Sequence, residues 1–398
     1  MPPYLAGRKR EYEEFDRLLQ QDVILENLVL TGLRGVGKTV LLETFKPRAM
    51  DAGWLWVGAD LSESASVSET SLAQRLLADL SVITSTAIQV PAATRPAGFT
   101  APGNTNLVPL TYSLLTQLAD STPGLVSDKL KAVLEAVAGA LKPQGRDRVI
   151  FAYDEAQNLS DQVVKDQYPL SVLLDVFQSI QKKGIPFMLV LTGLPTLFPK
   201  LVEARTFSER MFRVVTLGRL DHGESREAIV KPLDTEVCPV RFTETAIDTV
   251  CRESGGYPYF IQFICREAFD VIIQQAVPQE TRSGEATFVV PIDAIQRKLD
   301  TDFFAGRWAR VTDRQRELLL AIAMTSHDDG EFTIQDIVSS SKECLDKPFS
   351  PSHANQILVA LTAQGLIYKN RFGKYSWAVP LLGRFILRIH SVTLPIDA

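Results

Sequence analysis

Leu28-Val29-Leu30-Thr31-Gly32-Leu33-Arg34-Gly35-Val36-Gly37-Lys38-Thr39 decides how the rest of the chain is read. Residues 28–31 form a short apolar run suited to a buried strand, and from Gly32 the spacing G-x-x-x-x-G-K-T follows without a gap. Glycines let the backbone curl until successive N–H groups point at a bound phosphate, and helical periodicity over 38–45 puts the positive end of a helix dipole behind them. Strand, loop and helix in that order predict a site for a nucleoside triphosphate, ATP before others. Gly32, Arg34, Gly35, Val36, Gly37, Lys38, Thr39 and Val40 are expected to line the nucleotide. Lys38 would reach its β and γ phosphates, and the Thr39 hydroxyl would ligate Mg²⁺.

Outward from this stretch, apolar runs at 54–59, 149–153, 187–192 and 212–217 read as further strands. They are apolar at consecutive positions, as strands covered on both faces are. Helical segments at 71–80, 110–119, 128–141 and 169–183 lie between them. The alternation predicts an α/β fold, a parallel sheet with helices on both faces. Residues 83–108, rich in Pro, Thr, Ala and Gly with Arg95 as the only charge, read as a long loop. From 222 to 304 helical signals take over, with helices at 244–253 and 259–275 and a polar surface loop at 278–287.

The last part has a different grammar. Thr312 and Gln315 have capping-box spacing at the head of a helix over 312–323. Further helices are expected at 333–339 and 352–364, then strands at 366–369 and 375–379 joined by a hairpin over 370–374. Three helices followed by a hairpin is the layout of a winged helix-turn-helix. The expected division is an ATPase core over 1–221, a helical lid over 222–307 and a winged helix over 308–398.

A phosphate loop needs a carboxylate at the end of a neighbouring strand, because Mg²⁺ takes oxygen ligands or acceptors for its bound waters. Val149-Ile150-Phe151-Ala152-Tyr153-Asp154-Glu155 supplies one. Asp154 reads as the Mg²⁺ partner and Glu155 as the base that orients and deprotonates the attacking water. Thr192, at the end of the fourth strand, reads either as a polar sensor of the γ-phosphate or the attacking water, or as a hydroxyl satisfied by backbone at a strand end. Arg210 and Arg213 precede the fifth strand. Either would suit an arginine finger across a subunit contact, with Arg210 preferred.

These residues resemble the AAA+ related ATPases that include the origin-recognition initiators and the STAND signal-transduction ATPases. Leu5-Ala6-Gly7-Arg8 with Glu11 is similar to the box that opens such domains, which implies Arg8 at the border of the adenine. Asp154-Glu155-Ala156-Gln157-Asn158 resembles the second nucleotide motif, and Leu191-Thr192-Gly193-Leu194-Pro195 the sensor strand. Ser254-Gly255-Gly256-Tyr257-Pro258 is similar to the G-x-P element of STAND lids, which implies Pro258 near the base. The resemblance covers residues 4–269, and a winged helix is a usual companion. Initiators carry a sensor arginine in the lid where this chain reads Gly-Gly-Tyr-Pro; Arg266 is the nearest substitute, and the departure favours the STAND side.

A net charge of −5 over 398 residues gives no polyanion-binding field, so any nucleic-acid contact must be local. Residues 309–398 hold ten Lys and Arg against nine Asp and Glu. A DNA-reading surface would present Ser352, His353, Asn355 and Gln356 to duplex bases, with Lys369, Arg371 and Lys374 on phosphates and Ile357, Leu358 and Leu361 in the core. The other reading packs this module on the ATPase or on a protein partner, self-association included. Cys238, Cys251, Cys265 and Cys344 lack metal-site spacing and read as buried thiols in a reducing cytosol. No signal peptide or membrane-spanning run is read, so a cytoplasmic protein without membrane contact is expected. Three functions follow: an ATP-driven conformational switch, an ATP-licensed DNA-binding regulator or initiator, and a scaffold that holds nucleotide without turnover.

Overall fold

Each apolar run expected as a core strand forms one. The computed structural model describes residues 4–87, 89–91, 107–234, 241–276, 290–326, 330–371 and 373–390. Its strands are β1 (Asn27–Gly32), β2 (Leu55–Val57), β3 (Gln89–Pro91), β4 (Leu107–Pro109), β5 (Val149–Tyr153), β6 (Phe187–Gly193), β7 (Phe212–Leu217), β8 (Ile367–Arg371) and β9 (Lys374–Trp377). Five of them form a sheet in the order β2-β5-β6-β1-β7, in which β2, β5, β6 and β1 pair in parallel. Because β5 and β6 lie between β1 and β2, the carboxyl ends of β1, β5 and β6 stand side by side, where α/β sheets place their ligands. β1, β5 and β6 are buried at every position, which accounts for their lack of polar alternation.

The chain forms two compact units, Lys9–Thr31 with Lys38–Thr216, and Met1–Arg8 with Gly32–Gly37 and Leu217–Ala398. In the first, helices Glu69–Ala87, Val126–Leu141 and Pro169–Lys182 join the sheet in one apolar core, where Phe151 meets the edge of Phe177 at 5.0 Å. Helix Lys9–Leu19, which periodicity did not reveal, stacks Phe15 on Phe45 of helix Lys38–Asp51 at 4.1 Å. A buried amide pair closes the amino end of β1. Asn27 Nδ2 donates to Gln181 Oε1 and Met211 O at 3.2 Å each, while its Oδ1 accepts from Gln181 Nε2 at 2.8 Å and Leu189 N–H at 2.7 Å. With every polar atom of the pair engaged, burial carries no desolvation penalty left unmet.

The loop expected over 83–108 is corrected at both ends. Ile83 and Thr84 continue the buried face of the helix, with the Thr84 hydroxyl on Leu110 O at 2.7 Å, so that helix runs to Ala87. β3 and β4 then pair antiparallel. Residues 92–106, and the loop expected at 278–287, lie outside the described residues.

In the second unit, helix His222–Leu233 opens with a reciprocal Asp221–Glu224 capping box, Glu244–Ser254 with Thr243 as its cap, and Pro258–Ala276 follows two left-handed glycines. Helix Ile292–Leu299 runs into a π-helical turn at Asp300–Ala305. Then come Asp313–Thr325, Ile334–Cys344 and Pro351–Ala363, capped by Thr312, Thr333 and Ser350, and the β8–β9 hairpin. The expected order of three helices and a hairpin is present, and the middle helix runs five residues beyond its expected end at Ser339. An unexpected helix, Leu382–Ile389, follows and stacks Phe385 on Phe304 of the π turn at 5.0 Å.

Candidate nucleotide site

The loop after β1 takes the shape its glycines allow. Gly35 and Gly37 hold φ of +81° and +92°, a region closed to most side chains, and a Cβ on Gly35 would come within 3.0 Å of Tyr259 Cβ. Hydrogen bonds hold two of the loop's carbonyls. Buried Arg8 donates from Nη2 to Val36 O at 2.8 Å and to Gly218 O at 3.0 Å, and Tyr259 N–H donates to Gly35 O at 3.1 Å. Arg8 and Pro258, expected beside the adenine, are thus both tied to the loop's own placement. Arg8 holds a loop carbonyl, and Pro258 opens the helix whose second residue holds another. Proline costs nothing there, since the first N–H of a helix has no partner within it. Val36 and Lys38 are buried, Gly32 is buried, Val40 is half-buried, and Arg34 and Thr39 are exposed.

Asp154, at the carboxyl end of β5, is buried and fully engaged. Its Oδ2 accepts from the Thr39 hydroxyl at 2.5 Å, and its Oδ1 accepts from Glu155 N–H at 2.8 Å and from the Thr192 hydroxyl. Thr192, wholly buried at the end of β6, therefore spends its proton on the carboxylate. Its partner is that side chain and not the backbone, so in this structure it is a group that aims Asp154.

Glu155 leaves the strand at φ +51°, one of three non-glycine residues with positive φ among the described residues. Such geometry costs about 1 kcal/mol or more and persists where the surroundings impose it. Here the Glu155 N–H is held by Asp154, and the side chain is exposed. Its carboxylate accepts from Gln157 Nε2, while Gln157 Oε1 accepts from Leu194 N–H at 3.1 Å. A Cβ on Gly193 would lie 2.6 Å from Gln157 Oε1, so glycine is what admits this amide between the ends of β5 and β6. Lys200 Nζ donates to Gln157 O at 2.6 Å, and burial lowers its pKa. In the sequence Gln157 stands inside the second nucleotide motif, and the glycine after Thr192 is the signal of its place.

Arg210 is exposed on the short helix Ser208–Met211, while Arg213 donates two hydrogen bonds to the Glu14 carboxylate, each at 3.0 Å. Arg266, the substitute for a lid sensor, is exposed and pairs with Glu267 at 3.3 Å. Farther on, Ser352, His353, Asn355, Gln356 and Lys369 are exposed and Ile357, Leu358 and Leu361 buried, in the expected pattern. Lys374, expected on phosphate, pairs with Glu331 at 3.0 Å, and the Arg371 side chain lies outside the described residues.

The neighbouring hydroxyl and carboxylate of Thr39 and Asp154 are hard oxygen donors of the kind Mg²⁺ takes. No group of three or more His, Cys, Asp or Glu able to hold a metal occurs among the described residues, so a cation here would draw its other ligands from phosphate and water. No helix among the described residues is long and apolar enough to cross a membrane. Cys251, Cys265 and Cys344 are free thiols, with burial pushing Cys265 up to about 12; Cys238 lies outside the described residues.

Residues 4–190 match the family described as AAA ATPase domain, and residues 301–386 match a Domain of unknown function (DUF8462). No curated protein matches the chain. Among solved structures it is similar to the Walker-type ATPase PABY2304 of Pyrococcus abyssi, at 15% identity over 96% of both chains with a TM-score of 0.58. It is also similar to the ADP form of the Aeropyrum pernix ORC2 protein, at 15% identity over 98% of this chain and 95% of that one with a TM-score of 0.55. For CDC6P from Pyrobaculum aerophilum the values are 14%, 98%, 95% and 0.50. At these identities the likeness is one of fold, and it extends through the helical C-terminal region.

Proposed function

We propose that this chain, a P-loop ATPase of the AAA+ group with an origin-recognition-like fold, hydrolyses ATP and uses it as a conformational switch. The observation that carries hydrolysis is the Thr39–Asp154–Thr192 cluster at the carboxyl ends of the sheet, with Glu155 turned out of the strand beside it. Loop N–H groups between Gly32 and Thr39 would cradle the phosphates, and Lys38 would neutralise them. Thr39 and Asp154 would hold Mg²⁺, which when bound neutralises phosphate charge. Glu155 would accept a proton from the attacking water, with Gln157 fixing its carboxylate and the exposed Arg210 serving as the finger.

The switch rests on a second observation. Gly35 is bonded to Tyr259, whose ring lies 5.3 Å from Phe303; Phe303 lies 4.9 Å from Phe304, which stacks on Phe385 of the last helix. A change at the loop thus has a packed route to the C-terminal module, which we read as a winged helix over 308–398 beyond a lid over 222–307. The Gly255-Gly256-Tyr257-Pro258 turn that starts this route supports the STAND-like side of the resemblance. Duplex DNA binding licensed by ATP is the second reading, supported by the exposed polar face of Ser352, His353, Asn355 and Gln356.

Purified Glu155→Gln should bind ATP like the unsubstituted chain and lose turnover at least about 100-fold, as removal of a general base does. Lys38→Ala should lose binding itself. Unchanged phosphate release by the Glu155 variant would sink the assignment. Duplex affinity that does not differ between ATP, ADP and no nucleotide would remove the licensed DNA reading.

A further inference from the structure

Three arginines, Arg34 of the phosphate loop among them, line one cavity. Its volume is about 710 Å³, and its walls include Arg34, Asp302, Phe303, Arg307 and Arg310 together with the turn at Gln364–Leu366. Among the described residues, none of the three guanidinium groups has an ion-pair partner. Arg307 is the most constrained. It is half-buried, donates to Phe303 O, and lies 4.3 Å over the Phe303 ring. Burial, and then the charges of Arg34 and Arg310, lower its pKa. Like charges gathered in a partly desolvated space repel unless something negative joins them, and among the described residues of the lining Asp302 alone is acidic.

The backbone that builds this wall is unusual too. Asp302 and Phe303 lie in the π-helical turn Asp300–Ala305, a widened form found chiefly as isolated turns at functional sites. The volume falls in the range of small-molecule pockets, well above one inorganic phosphate. A concave space of this kind suits a compact ligand better than the convex rod of a duplex. Guanidinium forks pair with phosphate oxygens in bidentate fashion, and Phe303 adds an apolar wall.

We propose that this cavity binds a small molecule bearing a pyrophosphate group, held by Arg307, Arg310 and Arg34, the last in place of the nucleotide contact expected of it, at a site whose occupancy does not require Lys38. The ligand is either a free pyrophosphate or the pyrophosphate of a larger molecule.

The test is calorimetric titration of inorganic pyrophosphate, at low salt, into the full chain carrying Lys38→Ala, in parallel with the unsubstituted chain; it does not depend on ATP turnover. Saturable binding of one equivalent should persist in the Lys38→Ala background. On that background Arg310→Ala should weaken it about tenfold, the value of one charge-assisted contact, whereas Asp302→Asn should tighten it about threefold by removing a like charge from the ligand's surroundings. Both residues are exposed, so neither substitution threatens folding, and opposite signs are not what general damage produces. If ADP then binds tighter than pyrophosphate with the same dependence on Arg310 and Asp302, a pyrophosphate within a larger molecule is the source; if it binds more weakly, the free anion is. The proposal is overturned if pyrophosphate does not bind, if binding disappears with Lys38→Ala, or if neither Arg310→Ala nor Asp302→Asn changes it. It is equally overturned if an oligonucleotide, and not pyrophosphate, shows this dependence.

Discussion

The carboxylate of Asp154 and the guanidinium groups around Arg307 handle charge in opposite ways. Asp154 is buried, yet three donors from three elements converge on its oxygens, so it is held in one orientation before any ligand arrives. The cavity of Arg34, Arg307 and Arg310 gathers cations with no ion-pair partner among the described residues and leaves their mutual repulsion in place. A closed cluster of the first kind favours a fixed geometry for chemistry. An open one favours arrival of the missing charge. The two regions differ, then, in whether the protein or a ligand completes the electrostatics.

Asp154→Asn breaks the closed cluster most severely. An amide nitrogen facing Thr39 turns that hydroxyl from donor to acceptor, and the negative charge that Mg²⁺ would require is lost. Turnover should fall about 100-fold to 1000-fold, as for loss of a preorganised electrostatic group, and a phosphate-release assay reads it. Turnover within a factor of two of the unsubstituted chain would mean that the convergence on Asp154 is structural only.

Asn27→Ala asks whether closure also matters away from the chemistry. It strands Leu189 N–H, Met211 O and Gln181 Oε1 in a buried space, which should cost about 2–4 kcal/mol, read as a lowered midpoint in urea denaturation. Next in size is Thr192→Val, which keeps the shape and deletes one donor to Asp154. A loss of about tenfold in turnover with nucleotide affinity unchanged is expected, matching one hydrogen bond to a charged group. A change in affinity alone would instead favour direct contact between Thr192 and phosphate.

Much of the closed region was legible in the sequence, and the open one was not, for a physical reason. Strands buried on both faces announce themselves as apolar runs, and Gly32 to Thr39 with Asp154 and Glu155 are short contiguous patterns whose spacing is dictated by phosphate geometry. Asn27 and Gln181, 154 positions apart, carry no local signal of the bond between them. The arginine cavity draws on residues 34, 302–310 and 364–366, and nothing in any one of these stretches predicts the others. The helix to Ala87 was lost because its Ser- and Thr-rich end hides a buried face that Leu80, Ile83 and Thr84 complete.

A peripheral ion pair supplies the smallest and most exposed case of closure. The hydrogen bond from Arg213 holds the Glu14 carboxyl below its ordinary range, with the charges of Arg213, Arg17 and Arg10 acting the same way and burial acting against it. Because the folded-state pKa is the lower one, the native state binds fewer protons here than the unfolded chain, and the contribution is present above the unfolded value and lost as pH falls through the folded one. The Tm difference between the unsubstituted chain and Arg213→Ala should therefore be constant above about pH 5 and shrink as acid is added below the usual glutamate pKa of about 4.3. Water reaches this pair, so the plateau should correspond to roughly 0.2–1 kcal/mol, small beside Asn27→Ala. A difference that does not vary with pH would assign Arg213 a packing role over the arginine's aliphatic stem. Closure by charge would then be confined to the buried groups around Asp154, in full contrast with the arginine cavity.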